Sequence, residues 1–386
     1  MTVLDLPRGD GTWQSLKLRE PTQWTIPDGA ARTRIAFGAA HVVADPLGEN
    51  VPGAPAVVDW ESTLGFRRHL FAHGLGVAEA MDTAQRGMGL DWDTTRELIR
   101  RSADQANAEG ARIASGAGTD HLRAEVASLA EVLAGYEEQL GFVESTGSQA
   151  IVMASRQLAR LATGFEDYAR IYDLLLSQCE RPVILHWLGT AFDPSLAGYW
   201  GSDDVEVATK NFLSVITDHA ERIDGVKVSL LDAEHEKGLR AALPEGVRLY
   251  TGDDFNYPEL IKGDGIHHSD ALLGIFAAIA PAAGAALAAL DAGDMAAYDD
   301  AFAPTLPLAR HVFAAPTYYY KTGIAFLAWL SGHQPGFTMV GGLQSARSVV
   351  HLADTVRLAD AAGLLPDPDL AAERMRHLLA VAGLGR

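Results

Sequence analysis

One lysine stands in the middle of a short apolar stretch, Gly225-Val-Lys-Val-Ser-Leu-Leu-Asp232. In a β-strand the side chains alternate between two faces, so Lys227 and Ser229 share one face and the valines share the other. If helices cover the apolar face, the lysine lies inside the fold, and desolvation lowers its pKa from about 10.4 towards neutrality. A neutral amine can attack a ketone and form a Schiff base. The alternative is an ammonium group that reaches solvent or pairs with Asp232.

A histidine interrupts a second apolar stretch in the same way. His186 stands in Pro182-Val-Ile-Leu-His-Trp-Leu188, whose other members are apolar. Histidine transfers protons near pH 7, so it is a candidate partner of Lys227 in catalysis. The alternative is a core histidine that only forms a hydrogen bond.

Further polar residues stand where other apolar stretches end. We predict that they bind the substrate: His41, Asp82, Thr83, Ser229, Asp253 and His267. The alternative is that such loops are polar because they are solvated or because they cap helices, which suffices for Asp120, Ser155, Asp254 and Asp270.

The elements that must position these residues alternate along the chain. Short apolar strands are followed by amphipathic helices such as Asp93–Ala108, Phe165–Cys179 and Val205–Ile223. Eight strands alternating with helices predict an α/β fold, the (β/α)₈ TIM barrel, over residues 32–290. An open doubly wound sheet is disfavoured because no strand is followed by a glycine-rich dinucleotide turn. The predicted strands are Arg34–Ala40, Leu75–Ala80, Arg112–Ser115, Ala150–Ala154, Pro182–Leu188, Gly225–Leu230, Val247–Tyr250 and Gly263–His267.

Two segments flank the predicted barrel. Residues 1–31 form an N-terminal arm or hairpin, and residues 291–386 form a helical C-terminal region packed on the barrel. We read the alanine-rich run Ala271–Leu290 as a buried helix pair. The C-terminal helices are predicted at Ala296–Phe313, Ile324–Leu330, Ser345–Ala362 and Pro368–Ala382.

Composition limits the possible partners. The chain carries a net charge of −19, which repels phosphate backbones and anionic membrane surfaces. The single cysteine, Cys179, excludes an intrachain disulfide framework. We therefore expect a cytoplasmic protein that binds a small-molecule substrate, no nucleic acid and no membrane, and that forms a homo-oligomer, either a dimer or a tetramer.

Four segments, in this order, resemble the dihydrodipicolinate synthase and N-acetylneuraminate lyase superfamily of class I aldolases. They are Arg181-Pro-Val-Ile-Leu-His-Trp187, Gly225-Val-Lys-Val-Ser229, Leu249-Tyr-Thr-Gly-Asp-Asp254 and Lys262-Gly-Asp-Gly-Ile266. The resemblance covers about residues 32–290 and extends to Tyr318-Tyr-Tyr-Lys-Thr322. It implies a TIM barrel in which Lys227 forms the Schiff base.

The chain departs from the family pattern at two places. His186 stands where the family has the tyrosine that relays protons at the substrate oxygen. Ala80-Met-Asp-Thr-Ala-Gln-Arg-Gly87 stands in place of the threonine turn that binds a 2-oxo acid carboxylate. Asp82 is unfavourable there for a carboxylate, unless Arg86 turns inward to compensate.

These observations predict a Schiff-base-forming lyase that acts on a keto-sugar, a sugar acid or a related 2-oxo compound without any cofactor. The alternative is a sugar isomerase, epimerase or lyase that depends on a divalent metal bound by His41, Asp82, His121, His186, Asp253 and His267. Against it, no pair of these ligands lies at close spacing on one strand. A barrel that only binds a ligand is a third possibility.

Overall fold

The computed structural model describes residues 2–123, 125–126 and 128–385. An antiparallel hairpin of β1 (Val3–Pro7) and β2 (Trp13–Lys17) comes first. Eight parallel strands then close into a barrel in chain order. They are β3 (Ala36–Ala39), β4 (Gly76–Glu79), β5 (Ile113–Ala117), β6 (Gln149–Val152), β7 (Val183–Leu188), β8 (Ile223–Ser229), β9 (Arg248–Thr251) and β10 (Asp270–Leu273).

Helices cover the barrel and continue beyond it. Several begin at an aspartate or serine whose side chain accepts an amide of the first turn, as Asp204 and Asp232 do. The helices are α1 (Trp60–Ala72), α2 (Trp92–Glu109), α3 (Leu129–Ser145), α4 (Arg156–Leu161), α5 (Phe165–Gln178), α6 (Val205–Asp218), α7 (Ala233–Ala242), α8 (Tyr257–Lys262), α9 (Ala280–Asp291), α10 (Met295–Phe302), α11 (Thr305–Val312), α12 (Tyr320–Leu330), α13 (Val349–Ala361) and α14 (Pro368–Val381). Within the described residues, none of these helices has the length and apolar character needed to cross a membrane.

Strand alternation separates the barrel interior from its helix-covered outside. Val226 and Val228 of β8 pack outward in the cluster that contains the helix residues Phe212 and Leu239. The interior cluster comprises Phe37, Ala39, Ala78, Met81, Ala114, Ile151, Ile184, Tyr250 and Leu272. The predicted (β/α)₈ barrel is confirmed.

The prediction for the eighth strand is wrong. Gly263–His267 forms a turn, in which Gly263 and Gly265 have positive φ angles of 79° and 91°. The eighth strand is instead β10, which pairs with β3 through Ala271 and Ala36. Because a strand buried on both faces lacks polar alternation, the start of the run Ala271–Leu290 looked helical. That run contains a strand and α9 and is not a helix pair.

Helix ends also differ from the sequence prediction. The stretch predicted as Ala296–Phe313 divides into α10 and α11 on either side of Pro304. The helix predicted as Asp93–Ala108 is α2, which begins at Trp92 and is capped by Asp91 instead of by Asp93. The helix predicted to reach Ile223 ends at Asp218.

The N-terminal hairpin packs against the last helices. Arg357 of α13 donates hydrogen bonds to the carbonyls of Leu6 and Pro7, at 3.1 and 3.0 Å. Arg376 of α14 donates to the carbonyl of Val3 at 2.6 Å. The two ends of the chain therefore form one layer.

A buried ion pair joins α1 to the barrel. Arg67 Nε and Nη2 donate to the two carboxylate oxygens of Glu79 at 2.8 and 2.9 Å, and both side chains are fully buried. Arg67 also donates to the carbonyl of His41, and Glu79 accepts the amide of Ala80. This bidentate pair fixes the ends of β3 and β4, where the loops to the site begin.

We expect Arg67→Met to lower the free energy of unfolding by about 3 to 5 kcal/mol, because it leaves Glu79 as a buried charge without its partner. Urea unfolding followed by circular dichroism measures this change. The matched control is Arg96→Met, which removes the exposed pair with Asp93 and should cost at most about 1 kcal/mol. Equal losses in the two variants would contradict the prediction.

Candidate active site

Lys227 lies inside the barrel near the carboxyl end of β8. It pairs in register with His186 of β7 and with Tyr250 of β9, strands about 4.8 Å apart. The side chain is 5% exposed, and its Nζ forms no hydrogen bond or ion pair with the described residues. Burial lowers the pKa of Lys227, and the carboxylates of Asp82 and Asp254 partly oppose this shift. Burial therefore favours the neutral form of an amine that no described residue binds.

A glycine makes room beside the lysine. A Cβ atom on Gly252 would lie 2.2 Å from Ser229 Oγ and 3.0 Å from Lys227 Cε. Neither contact is possible without moving the two side chains. The glycine of the Thr251-Gly-Asp-Asp254 turn therefore allows the chain after β9 to pass close to the carboxyl end of β8.

His186 forms a hydrogen-bonded pair with Ser229, with 3.2 Å between Nε2 and Oγ. Burial, together with the neighbouring Lys227, lowers the pKa of His186 well below its ordinary value. Its Nδ1 atom is buried and has no hydrogen-bond partner among the described residues. The imidazole is thus neutral, with one nitrogen left to exchange a proton.

Asp82 and Thr83 meet a tyrosine from the C-terminal region. Tyr320, the first residue of α12, donates to Asp82 Oδ2 at 2.9 Å, and its oxygen lies 2.5 Å from Thr83 Oγ1. Burial raises the pKa of Tyr320 well above its ordinary value, so the phenol keeps its proton. Asp82 and Thr83 were predicted to bind the substrate, whereas Tyr320 was not predicted as a site residue.

A second buried lysine follows the tyrosine. Lys321 Nζ lies 3.8 Å from Asp82 Oδ2 and 5.1 Å from the ring centres of Tyr318 and Tyr320. Burial lowers the pKa of Lys321 to about 8, and Asp82 opposes the shift. The sequence could have indicated this lysine, because Lys321 is the one charged residue of α12, a helix that is buried along its whole length.

The two aspartates of the β9 turn have hydrogen-bond partners that differ from those predicted. Asp253 accepts the amides of Phe255 and Asn256 at 2.8 and 3.1 Å, so it shapes its own loop. Asp254, which we assigned to helix capping, accepts only the Ile275 amide and lies within Coulombic reach of Lys227. Burial raises the pKa of Asp254 well above its ordinary value. The lowered pKa of Lys227 and the raised pKa of Asp254 favour a neutral amine beside a protonated carboxyl group.

His41 occupies a different cluster from Lys227. Its Nε2 lies 2.8 Å from Gln334 Oε1, and its ring packs edge-on against Phe66. Burial lowers the pKa of His41 to about 3. Nearby, the rings of His69 and His333 lie 4.1 Å apart, and burial lowers their pKa values to about 3 and 4.

His267 does not reach the site. It is exposed in the turn between α8 and β10, and such turns lie at the amino ends of the barrel strands. Its predicted position at the rim was wrong because the predicted strand end was wrong.

Arg86 does turn inward, but its donors are used by the protein. Nε donates to Asp120 at 2.9 Å, and Nη1 donates to the carbonyls of Ala80 and Gly116, both at 3.1 Å. The side chain fixes the loops after β4 and β5. It is therefore not free to compensate Asp82 at a substrate carboxylate.

A cavity of about 660 Å³ opens at the carboxyl ends of the strands. This volume lies in the range of small-molecule sites. Its wall includes Asp82, Met153, Leu188, Arg156, Arg160 and Asp193.

The ligand set of the metal alternative is not brought together. His121 is hydrogen-bonded to Glu138 and Gln139, and His267 lies at the other end of the barrel. In the described part of the chain, no group of three or more His, Cys, Asp or Glu side chains could hold a metal ion.

The family model described as "Protein of unknown function (DUF993)" matches residues 4–384. No curated protein sequence is significantly similar to the chain. Solved structures are similar in fold at low identity. YagE from E. coli K12, a prophage protein of the dihydrodipicolinic acid synthase family solved in complex with pyruvate, has a TM-score of 0.66 and 13% identity, covering 86% of this chain and 99% of its own.

Two dihydrodipicolinate synthases are similar to the same degree. The protein from Aquifex aeolicus has a TM-score of 0.60 and 12% identity, covering 91% of this chain and 98% of its own. That from Thermotoga maritima has a TM-score of 0.59 and 14% identity, covering 92% and 100%. The resemblance found in the sequence is confirmed at the level of the fold.

We expect acid to destabilise the protein through the buried histidines His41, His69 and His333. Their pKa values in the folded state lie below about 6.5, the value in an unfolded chain. Their contribution is complete above pH 6.5 and decreases as the pH falls towards 4, because the unfolded state binds more protons. Each should lose on the order of 1 to 2 kcal/mol between pH 7.5 and 5.

Urea unfolding at both pH values measures this loss. The loss of unfolding free energy between the two pH values should be smaller in His69→Leu than in the wild type. In His377→Leu, which replaces an exposed histidine, the loss should equal that of the wild type. An identical loss in His69→Leu and the wild type would contradict the prediction.

Proposed function

We propose that this chain, which belongs to the DUF993 family, is a class I aldolase-type carbon–carbon lyase in which Lys227 forms a Schiff base with its substrate. The observation that carries the proposal is a buried lysine at the carboxyl end of a barrel strand, with no partner atom bound to its Nζ. The pyruvate complex of YagE, on a similar fold, agrees with a carbonyl compound as ligand.

The first step joins the amine to the substrate carbonyl carbon. The neutral nitrogen of Lys227 attacks, and the proton that it loses passes through His186 to the carbonyl oxygen, which gives a carbinolamine. The hydroxyl group then leaves as water, with a proton from the carboxyl group of Asp254, and an iminium remains. That iminium accepts the electron pair released by carbon–carbon cleavage or by loss of a proton.

Two groups besides Asp254 can move protons. His186 is neutral, adjacent to Lys227 and oriented by Ser229, so it accepts the proton lost from the attacking amine. Tyr320 has Asp82 as its acceptor and Thr83 as a second partner, so it serves the substrate oxygens. The tyrosine absent from the β7 position would then be supplied by α12.

The substrate we propose is a polyhydroxylated ketone, a keto-sugar or a sugar acid. Carboxylate, hydroxyl and imidazole groups around Lys227 suit hydroxyl groups, which both donate and accept hydrogen bonds. The chemistry needs no cofactor beyond the covalent bond to Lys227.

Borohydride added together with a panel of ketoses and 2-oxo acids should fix a reduced adduct on the peptide that contains Lys227, detected by its mass. In Lys227→Met the adduct and the turnover should both disappear while the circular dichroism spectrum is unchanged. Lys237→Met removes an exposed lysine and is the matched control, with adduct and turnover as in the wild type.

A chelator should leave turnover unchanged, since the iminium replaces a metal ion as the electron sink. Activity that persists in Lys227→Met, or that chelation abolishes while no adduct ever forms, would refute the aldolase proposal in favour of the metal-dependent alternative.

We expect Tyr320→Phe and His186→Gln to lower kcat by about 10²- to 10⁴-fold, the usual loss for a proton-transfer group, and to slow formation of the borohydride adduct without abolishing it. Single-turnover trapping compared with steady-state turnover separates the two steps. Ser177→Ala, on the outer surface of α5, is the control. Wild-type kcat in both variants would exclude them from proton transfer.

A further inference from the structure

We propose that the substrate carries an anionic group, a carboxylate or a phosphate, at the end remote from its reacting carbonyl, and that Arg156 and Arg160 bind this group. The inference rests on the proposed function and specifies its substrate class. Both arginines line the cavity that Asp82 also lines.

Arg156 is held in position before any ligand arrives. Its Nε donates to Asp193 Oδ2 at 2.5 Å, and the Tyr318 hydroxyl interacts with the same guanidinium. Gly87 leaves room for it, because a Cβ atom there would lie 2.9 Å from Arg156 Nη1. Since Asp193 occupies the Nε edge, donors on the Nη groups remain for a ligand oxygen.

Arg160 supplies positive charge that the protein does not neutralise. It lies four residues after Arg156 on α4, so the two side chains extend from the same face of the helix. Its Nη2 donates to the carbonyl of Val126, which carries no net charge. Among the described residues, no carboxylate lies within ion-pair distance of Arg160.

The reacting end of the cavity has the opposite character. Asp82 and Asp254 both lie within Coulombic reach of Lys227, and Lys321 is already paired with Asp82. A carboxylate directly attached to the reacting carbonyl would therefore approach the negative charge of Asp82, beside which the one nearby cation, Lys321, is already paired. A substrate charged only at its far end avoids that repulsion and reaches the arginines.

The arginine pair suits both carboxylate and phosphate. A guanidinium donates two parallel hydrogen bonds to either group. Asp82, which lies within Coulombic reach of Lys227, lines the same cavity as the two arginines, so a ketone can place its hydroxyl groups at Asp82 and its anionic end at Arg156 and Arg160.

Two isomeric probes test the position of the charge. In 2-oxopentanoate the carboxylate is bonded directly to the ketone carbon. In its isomer 4-oxopentanoate two methylene groups separate the carboxylate from the ketone. Borohydride trapping on Lys227 at limiting probe concentration should favour 4-oxopentanoate by about tenfold or more, as expected for a charged hydrogen bond. Xylulose 5-phosphate compared with xylulose gives the same test for phosphate and shows which anion is preferred.

The preference should disappear in Arg156→Gln and in Arg160→Gln and should be partly restored in Arg156→Lys. Hydroxyacetone, which is uncharged, should be trapped equally in all of them, and Arg68→Gln, at an exposed site on α1, is the matched control. If Arg156→Gln fails to trap hydroxyacetone, that variant is damaged in general. The inference is then tested by the preference of the wild type between the two isomers and by its loss in Arg160→Gln. Equal trapping of the two isomers by the wild type, or an unchanged preference in the variants, overturns the inference while the Schiff base stands.

Failure of the proposed function gives a different result. No probe is then trapped on Lys227, and binding of inorganic phosphate, measured by calorimetry, tests the arginines directly. Binding that is lost in Arg156→Gln and Arg160→Gln supports the anion site without the Schiff base. Binding of equal strength in the wild type and both variants, or no binding to any of them, overturns it.

Discussion

The cost of burying Lys227 determines how the carboxyl end of the barrel is built. An ammonium group removed from water is expensive unless it loses its proton or gains charged neighbours. Here both occur, because burial favours the neutral amine while Asp82 and Asp254 lie within Coulombic reach. Each buried carboxyl group then needs partners of its own. Asp254 has the Ile275 amide, and Asp82 has Tyr320 and Lys321.

The partners that Asp82 needs lie outside the barrel, in the C-terminal region. The last barrel strand ends at Leu273, yet the partners of Asp82 lie on α12, all of whose residues are buried. The extra helices are therefore part of the site and do more than cover the barrel. The boundary near residue 290 divides the elements of the fold but does not divide the chemistry.

The sequence predicts side-chain direction well within strands and poorly elsewhere. Alternation along β7 and β8 was enough to place His186 and Lys227 side by side, because a strand fixes the face of each residue. It could not distinguish Asp253 from Asp254, since the direction of a turn residue depends on which backbone amides it caps. Tyr320 lies more than 230 positions from Asp82, and nothing local in the sequence connects them. The eighth strand was misplaced because a short buried strand and an alanine-rich helix have the same apolar composition.

The dependence of Asp82 on α12 has a consequence for the order in which the protein becomes functional. A ribosome releases the chain from its amino end, so every barrel strand emerges before Tyr320 and Lys321. Until they dock, Asp82 lacks both partners, and water can enter beside Lys227. The hairpin of β1 and β2 gains its partners later still, because α13 and α14 follow α12 in the chain. The surroundings of Lys227 are thus complete only after α12 has been synthesised and has docked beside Asp82.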